Sequence, residues 1–240
     1  MKRSLIIVGI LAQFVVTQAA LATTLSFTDN TKIWSGWTNN VGTQNTTDSI
    51  GSPQIVTTKV DLDKGLMSSI TFTGLYPLPT NVYAGDLFIN LLNSKNDTTW
   101  DYVVRSLNGT DGAYDIFKVN VDALKNPASN PYEMSYYQYP GNNNTNFRSL
   151  HPIGVKDDQL LGNSVGTATL SGLYSNTIKY DFGKGLDTLG LSFIIGWTPT
   201  CANDVIYQEV PVPEPGTMAL LGFGLLGLVV YSKRRMGKQV

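Results

Sequence analysis

The first candidate for chemistry is the run 162–166, which fits the pattern Gly-x-Ser-x-Gly and would present Ser164 as a nucleophile. That pattern requires a helix directly after it, followed in chain order by an acid and a histidine. Here a strand-like run follows, and the single histidine of the chain, His151, comes earlier. We therefore interpret 162–166 as a glycine-rich turn, and a secreted hydrolase is only the second alternative function.

A second nucleophile is the thiol of Cys201, the single cysteine of the chain. A dyad with His151 would require the fold to bring two distant residues together, which the sequence leaves open. A lone thiol pairs with a partner or is buried, and we expect burial because free cysteine behaves as a small hydrophobic residue. One histidine and one cysteine cannot supply the usual ligands of zinc. We predict no catalytic residue, no required cofactor and no enzymatic activity.

Calcium is the metal that the sequence suggests, because oxygen-bearing side chains cluster in one stretch and such loops hold Ca²⁺ in many exported β-domains. The candidate ligands are Asp86, Asn93, Asn96, Asp97 and Asp101. Lys95 lies in the middle of this loop and no glycine provides a sharp turn, so the pattern is not an EF-hand. The alternative interpretation is a solvated turn that binds no ion.

Aromatic side chains in the long proline-bearing stretch 126–152 suggest contact with sugar rings: Tyr132, Tyr136, Tyr137 and Tyr139. Long loops in compact domains are usually functional or disordered, and tyrosines argue against disorder. This gives the first alternative function, a glycan-binding module assisted by calcium. The other interpretation, which we favour, is that these rings fold back over one end of the domain.

The elements that must position these residues are predicted to be strands. Between residues 23 and 210, short runs rich in Val, Ile, Thr, Tyr and Phe alternate with period two, and clusters of Gly, Asn and Asp separate them. This pattern predicts an all-β fold, a single β-sandwich or jelly-roll-like domain. Strands are predicted at 54–62, 69–74, 86–92, 100–105, 115–121, 167–173, 177–182, 189–197 and 204–208. Turns are predicted at 108–112, 141–144 and 183–185.

Charge is distributed unevenly along the chain. Residues 23–216 hold all 18 acidic residues but only 11 of the 17 basic residues, a net charge of −7. An acidic domain without a basic stripe argues against nucleic acid as a partner. It also argues against peripheral binding to anionic lipid.

The N-terminal residues 1–22 fit a secretory signal peptide, because two basic residues precede an apolar run at 5–16 and a small-x-small cleavage site follows. The residues that specify cleavage by signal peptidase are Ala20, Ala22 and Thr23. The alternative is a permanent N-terminal anchor, for which the apolar run is short. We predict that the mature domain comprises residues 23–210.

The C-terminal segment 211–240 has three parts. The first is an extended motif, because proline removes backbone donors: Val212, Pro213, Glu214 and Pro215. An uncharged apolar run at 217–231 follows, and as a helix it would reach roughly 22 Å, short of the ~30 Å core of a bilayer. The basic tail 232–240 should stay cytoplasmic and contains Lys233, Arg234 and Arg235. We predict a marginal transmembrane helix, with a buried helix of a soluble domain as the alternative.

Taken together, this motif, the glycine-bearing apolar run and the basic cluster resemble the PEP-CTERM sorting signal. The resemblance implies processing by an exosortase, an integral-membrane cysteine protease, while the precursor spans the inner membrane transiently. It also implies an exopolysaccharide-producing Gram-negative host. A weaker resemblance covers 85–88 followed by 100–102, and 197–206, which are similar to stretches of β-rich PEP-CTERM ectodomains of unknown activity.

These observations predict an exported, exosortase-processed protein of the cell surface or extracellular biofilm matrix, without enzymatic activity. The resemblance implies a membrane-anchored precursor and a mature form at the cell surface, in the outer membrane or outside the cell. Exopolysaccharide is the candidate partner of the mature form. Whether the C-terminal helix is removed stays open at the level of sequence.

Overall fold

The computed structural model describes residues 22–34, 47–50, 54–74, 82–92, 100–120, 151–156 and 161–212, the backbone of 136–138, and Gly222 and Gly224. Within these residues the regular secondary structure is entirely β, apart from helical backbone at Gly222 and Gly224. The predicted all-β fold class is therefore confirmed.

The described residues form twelve strands in two antiparallel sheets. The strands are β1 (Thr23–Thr28), β2 (Ile55–Asp63), β3 (Leu66–Gly74), β4 (Leu87–Leu91), β5 (Tyr102–Val104), β6 (Gly112–Val119), β7 (Tyr136–Gln138), β8 (Pro152–Val155), β9 (Leu161–Ser171), β10 (Thr177–Asp187), β11 (Phe193–Trp197) and β12 (Ile206–Val210). Ten of them form one sheet in the order β1-β2-β3-β10-β9-β6-β5-β4-β11-β12. β7 and β8 form a separate two-stranded sheet.

Strands β2, β3 and β10 follow the period-two pattern that the sequence predicts. In β10 every second side chain of the first half is buried: Ile178, Tyr180 and Phe182. β2 and β3 are joined by a tight hairpin in which Lys64 has φ 54° and Gly65 has φ 81°. Two consecutive residues with positive φ match the right-handed twist of the adjoining strands, and glycine adopts this conformation without steric cost.

Apolar side chains form two cores on opposite faces of β4. Leu87 and Ile89 belong to the main core, and Phe88 belongs to the second. The second core is built around Trp34, which packs edge-on against Phe88 and Trp100 with ring centroids 5.3 and 5.4 Å away. A strand that is buried on both faces is apolar almost throughout, which explains why β4 lacks a clean alternation.

The ten-stranded sheet curls around the main core and is nearly closed into a barrel. Phe72 in β3 stacks on Trp197 in β11 with ring centroids 4.8 Å apart, although the two strands lie six places apart in the sheet. Beyond β1, Thr31 reaches the opposite edge, where its Oγ1 accepts a hydrogen bond of 3.4 Å from the N–H of Tyr207 in β12. Where the sequence predicted a sandwich, one continuous sheet encloses the core, because strand twist and bulges bend it around the apolar side chains.

Two glycine-rich stretches that were predicted as turns lie inside strands. The run 162–166 is part of β9, and 183–185 is part of β10. The register between β10 and β3 shifts between Asp181 and Leu186, so the glycines of β10 form a bulge with positive φ and do not end the strand. The two turn predictions were wrong because glycine marks bulges and close backbone approaches in strands as well as turns.

Candidate functional site

The C-terminal sorting segment leaves the domain directly from an edge strand. β12 is the last strand of the ten-stranded sheet, and its final residue, Val210, is fully buried. Pro211 is exposed, and the backbone N–H of Val212 donates a hydrogen bond of 3.1 Å to Oγ of Ser192. Val212, the first residue of the predicted motif, therefore still contacts the domain.

Most of the predicted terminal signals lie outside the described residues. In the C-terminal segment this holds for Pro213, Glu214, Pro215, Lys233, Arg234 and Arg235. No helix among the described residues is both long and apolar enough to cross a membrane. At the N-terminal end Ala20 also lies outside, whereas Ala22 and Thr23 are exposed and Thr23 begins β1. Cleavage before Thr23, which stays a prediction, would place the new N-terminus at the start of the first strand.

Asp86, from the predicted calcium set, is a buried carboxylate that protein donors surround. Its Oδ2 accepts hydrogen bonds from Nη1 of Arg105 at 2.7 Å and from the N–H of Val155 at 2.8 Å. Its Oδ1 accepts a hydrogen bond of 2.7 Å from the N–H of Leu107. Burial raises the pKa of this carboxyl, and the charge of Arg105 and the backbone donors oppose that rise. Asp86 thus connects β4 to residues 105–107 and to β8.

The remaining members of the predicted calcium and glycan sets are only partly described. Asp101 accepts a hydrogen bond of 2.6 Å at Oδ2 from the N–H of Leu91. The residues outside the described part of the chain are Asn93, Asn96, Asp97, Tyr132 and Tyr139. Tyr136 and Tyr137 lie in β7, of which the backbone alone is described. Both the loop calcium site and the glycan contact therefore stay predictions.

Ser164 lies within a strand and not at a strand-to-helix elbow. Its side chain is exposed on β9, and its hydroxyl donates long hydrogen bonds to Oδ1 of Asp115 at 3.4 Å and to the carbonyl of Gly166 at 3.3 Å. The hydroxyl is thus not paired with an imidazole by any contact that the structure describes. Its described partners are one carboxylate and one backbone carbonyl, both at the long end of hydrogen-bond distances.

Cys201 and His151 pack in different parts of the interior. Cys201 belongs to the main core, and its thiol donates a hydrogen bond of 2.9 Å to Oδ1 of Asn203. Burial raises the pKa of this thiol to about 11, so it stays protonated at neutral pH. The His151 ring packs edge-on against Trp34 of the second core, with centroids 5.0 Å apart. The predicted burial of Cys201 is confirmed.

A cluster of three carboxylates, which the sequence did not predict, is formed by Asp29, Asp48 and Asp204. One carboxylate oxygen of each residue lies within 4.8 Å of those of the other two. Asp29 and Asp204 are buried, and Asp48 is partly buried. Asp29 follows β1, Asp48 precedes β2 and Asp204 precedes β12. The cluster therefore lies where the first and last strands of the sheet approach each other.

Backbone donors fix Asp204 in this cluster. Its Oδ1 accepts a hydrogen bond of 2.9 Å from the N–H of Val205, and its Oδ2 accepts one of 2.5 Å from the N–H of Ile55. Next to it, the carbonyl of Asn203 accepts a hydrogen bond of 2.8 Å from the N–H of Ile50. These bonds join the segment before β2 to the turn before β12, so the cluster is held by the backbone on two sides.

The cluster lies in a negative and largely buried environment. Burial raises the pKa of Asp29 to about 6 and that of Asp204 to about 8, and the neighbouring carboxylates add to both rises. The groups that oppose these rises are backbone N–H donors and Thr31, and among the described residues no basic side chain contributes. Oδ2 of Asp29, a side chain only 8% exposed, has no hydrogen-bond partner among the described residues. Such a group needs a cation or a proton to offset its charge.

Sequence reasoning missed this cluster because its members come from three separate segments. Asp204 and its donor Ile55, for example, lie 149 residues apart in the chain. The one available signal was the stretch 197–206, whose similarity to β-rich ectodomains includes Asp204. That similarity indicated placement in the chain and gave no partner for the carboxylate.

Residues 211–235 match the family model of the PEP-CTERM protein-sorting motif. The predicted sorting signal is thereby confirmed, and the chain is an exported, membrane-processed protein that carries the signal for exosortase. The match begins at the exposed Pro211, directly after β12. Comparisons of the chain with curated proteins and with solved structures gave no match.

Proposed function

We propose that the chain is the precursor of a non-enzymatic protein of the cell surface or extracellular matrix, made by an exopolysaccharide-producing Gram-negative bacterium. In this proposal signal peptidase removes residues 1–22, and exosortase cleaves at the C-terminal motif. The β-domain then leaves the inner membrane and serves at the surface as a structural or binding component. The match at residues 211–235 is the observation that carries the proposal.

The junction between β12 and the motif supports processing by a protease. β12 is an edge strand, and its next residue, Pro211, has no N–H to donate. Pro213 and Pro215 also lack this donor, so the motif cannot continue a hydrogen-bonded strand along the sheet edge. A segment that follows the domain immediately and cannot join its sheet is suited to enter the active site of a protease.

The settings of the nucleophile candidates support a non-enzymatic role. No contact of the described residues pairs Ser164 with a histidine, and the thiol of Cys201 is buried and bonded to Asn203. Nucleophilic catalysis needs an accessible group that a base or a lowered pKa activates, and the pKa of Cys201 is raised instead.

The test is the intact mass of the protein from the cell envelope and from the medium, in a host that has an exosortase. We expect the wild type to lose residues 1–22 and the segment after the Pro-Glu-Pro motif. Glu214→Gln should retain the C-terminal segment, because the substitution removes the single charge of the motif. Glu209→Gln makes the same change at an exposed position of β12 and should be processed as the wild type.

If Glu214→Gln and the wild type are truncated at the same position, the protease does not require the charge of Glu214. A wild-type mass that extends to Val240 in every fraction would contradict release. It would make the segment 211–240 a permanent anchor, and the function would then lie at the inner membrane.

A further inference from the structure

The spacing of the three carboxylates Asp29, Asp48 and Asp204 fits the ligands of a single ion. Calcium binds oxygen atoms at about 2.3–2.6 Å, so two ligands of one ion lie at most about 5 Å apart. One oxygen of each carboxylate lies within 4.8 Å of those of the other two. If all three carboxylates are ionised at this separation, they repel one another unless positive charge lies between them.

A second observation is the buried oxygen of Asp29. Its Oδ1 accepts a hydrogen bond of 3.0 Å from the N–H of Thr31, but its Oδ2 accepts none from the part of the chain that the structure describes. Buried polar atoms are nearly always paired, and an unpaired carboxylate oxygen beside two other carboxylates indicates a missing partner. Because this side chain is only 8% exposed, bulk water does not readily serve as that partner.

The type of ligand atom selects the kind of ion. The cluster offers carboxylate oxygen alone, which is the donor that calcium and magnesium prefer, whereas zinc prefers nitrogen and sulfur. The nearby thiol of Cys201 donates to Asn203. Magnesium demands near-ideal octahedral geometry and keeps several waters, which a buried site disfavours, whereas calcium accepts irregular sites with backbone carbonyls as further ligands.

We propose that Asp29, Asp48 and Asp204 bind one calcium ion. The ion would join the segment after β1 and the segment before β2 to the turn before β12, the strand from which the sorting segment leaves. It would thus fasten the two edges of the nearly closed sheet to each other. Its three ligands are not among the residues of the predicted loop site, which include Asp97.

The test uses the full chain, purified in detergent, stripped of metal with a chelator and titrated with calcium chloride alone. We expect a saturable rise in the unfolding temperature, because an ion that binds the native state alone stabilises it. The titration should extend through the range of about 10⁻⁴–10⁻³ M in which extracellular calcium modules bind. Equilibrium dialysis should measure the bound calcium directly.

Asp48→Asn is the diagnostic variant, because Asp48 is partly buried and asparagine conserves its shape. Without calcium it should unfold at the wild-type temperature or above it, since the charge of Asp48, which acts unfavourably on Asp29 and Asp204, is gone. With calcium its unfolding temperature should be below that of the wild type. Its affinity for calcium should fall by at least roughly 10- to 100-fold, the loss that substitutions next to metal ligands typically cause. A residue with a merely structural role would not give this crossover.

Two control variants complete the design. Asp63→Asn makes the same change at an exposed position at the end of β2 and should respond to calcium as the wild type. Asp97→Asn removes a predicted ligand of the loop site and should also leave the response intact. No calcium response in the wild type, or an equal response in Asp48→Asn, overturns the proposal. Loss of the response in Asp97→Asn alone would also overturn it, because calcium would then bind in the loop.

Discussion

At the scale of single residues, Asp61 in β2 links three neighbouring strands. Its Oδ1 accepts a hydrogen bond of 2.6 Å from the hydroxyl of Thr24 in β1, and its Oδ2 accepts one of 2.6 Å from Ser69 in β3. The bonds from Ser69 and Thr24 lower the pKa of Asp61 from its ordinary value of 3.8. The charged form of this side chain is therefore the one that stabilises the fold.

We expect Asp61→Asn to lower the free energy of unfolding by about 1 kcal/mol at neutral pH, the usual net value of a hydrogen bond to an accessible group. Because the folded pKa is lowered, this stabilisation is present above the unfolded pKa of 3.8 and is lost as the pH falls through the folded pKa. Urea unfolding at neutral pH and at about pH 3 measures the difference. Asp63→Asn, two residues further along β2, is the matched control. A difference between wild type and variant that stays constant with pH would contradict this account.

At the scale of elements, bulges change the register of several strands. β6 begins three residues before the start that the sequence predicted. Its register with β9 shifts at Phe117, so Phe117 is partly exposed while Ile116 and Val119 are buried. A strict period of two cannot predict such a shift, since each bulge moves the following side chains to the other face. The strands β1, β7 and β8 also had no counterpart among the predicted strands.

The bulge in β10 gives a prediction at this scale. Gly183 has φ 58° with nothing close to the position of a Cβ, whereas Gly185 has φ 86° and a Cβ there would lie 2.7 Å from Cβ of Leu66. Substitution by alanine at either position should lower the free energy of unfolding by about 1–2 kcal/mol, because a left-handed conformation is unfavourable for alanine. Gly185→Ala should lose about 1–3 kcal/mol more, since β3 must also move. Urea unfolding of the two variants compares their stabilities. Equal destabilisation by the two substitutions would mean that Leu66 moves aside without measurable cost, which would contradict this prediction.

At the scale of the whole molecule, buried aromatic residues hold opposite sides of the curled sheet together. Tyr180 in β10 is fully buried, and its hydroxyl accepts a hydrogen bond of 2.9 Å from Nε1 of Trp197 in β11. The same hydroxyl lies 2.9 Å from Oγ of Ser106. Burial raises the pKa of Tyr180, so the phenol stays neutral. One hydroxyl thus connects strands that are distant along the sheet.

We expect Tyr180→Phe to destabilise the protein by about 1–3 kcal/mol, because the buried Nε1 of Trp197 would lose its acceptor. Tyr114→Phe is the matched control, since its hydroxyl donates to the carbonyl of Thr110 at the protein surface. That change should alter stability by less than about 0.5 kcal/mol. Thermal unfolding of both variants measures the effect. Equal stability of Tyr180→Phe and the wild type would show that water replaces the lost hydroxyl.

The sequence by itself determined the fold class and the sorting signal, because both are written in local patterns. Period-two runs are sufficient to predict strands, and the proline motif, apolar run and basic cluster that resemble the sorting signal lie within one segment. The burial of Cys201 was also predictable, since it rests on the polarity of a single side chain. These features do not depend on which strands become neighbours.

Only the tertiary structure decided the closure of the sheet and the assembly of Asp29, Asp48 and Asp204. A period of two tells which face of a strand is buried, but it does not tell against which other strand that face packs. The stacking of Phe72 on Trp197 and the convergence of three carboxylates both join residues that are far apart in the chain. Such contacts follow from the order and curvature of the whole sheet, which is why no spacing in the sequence predicted them.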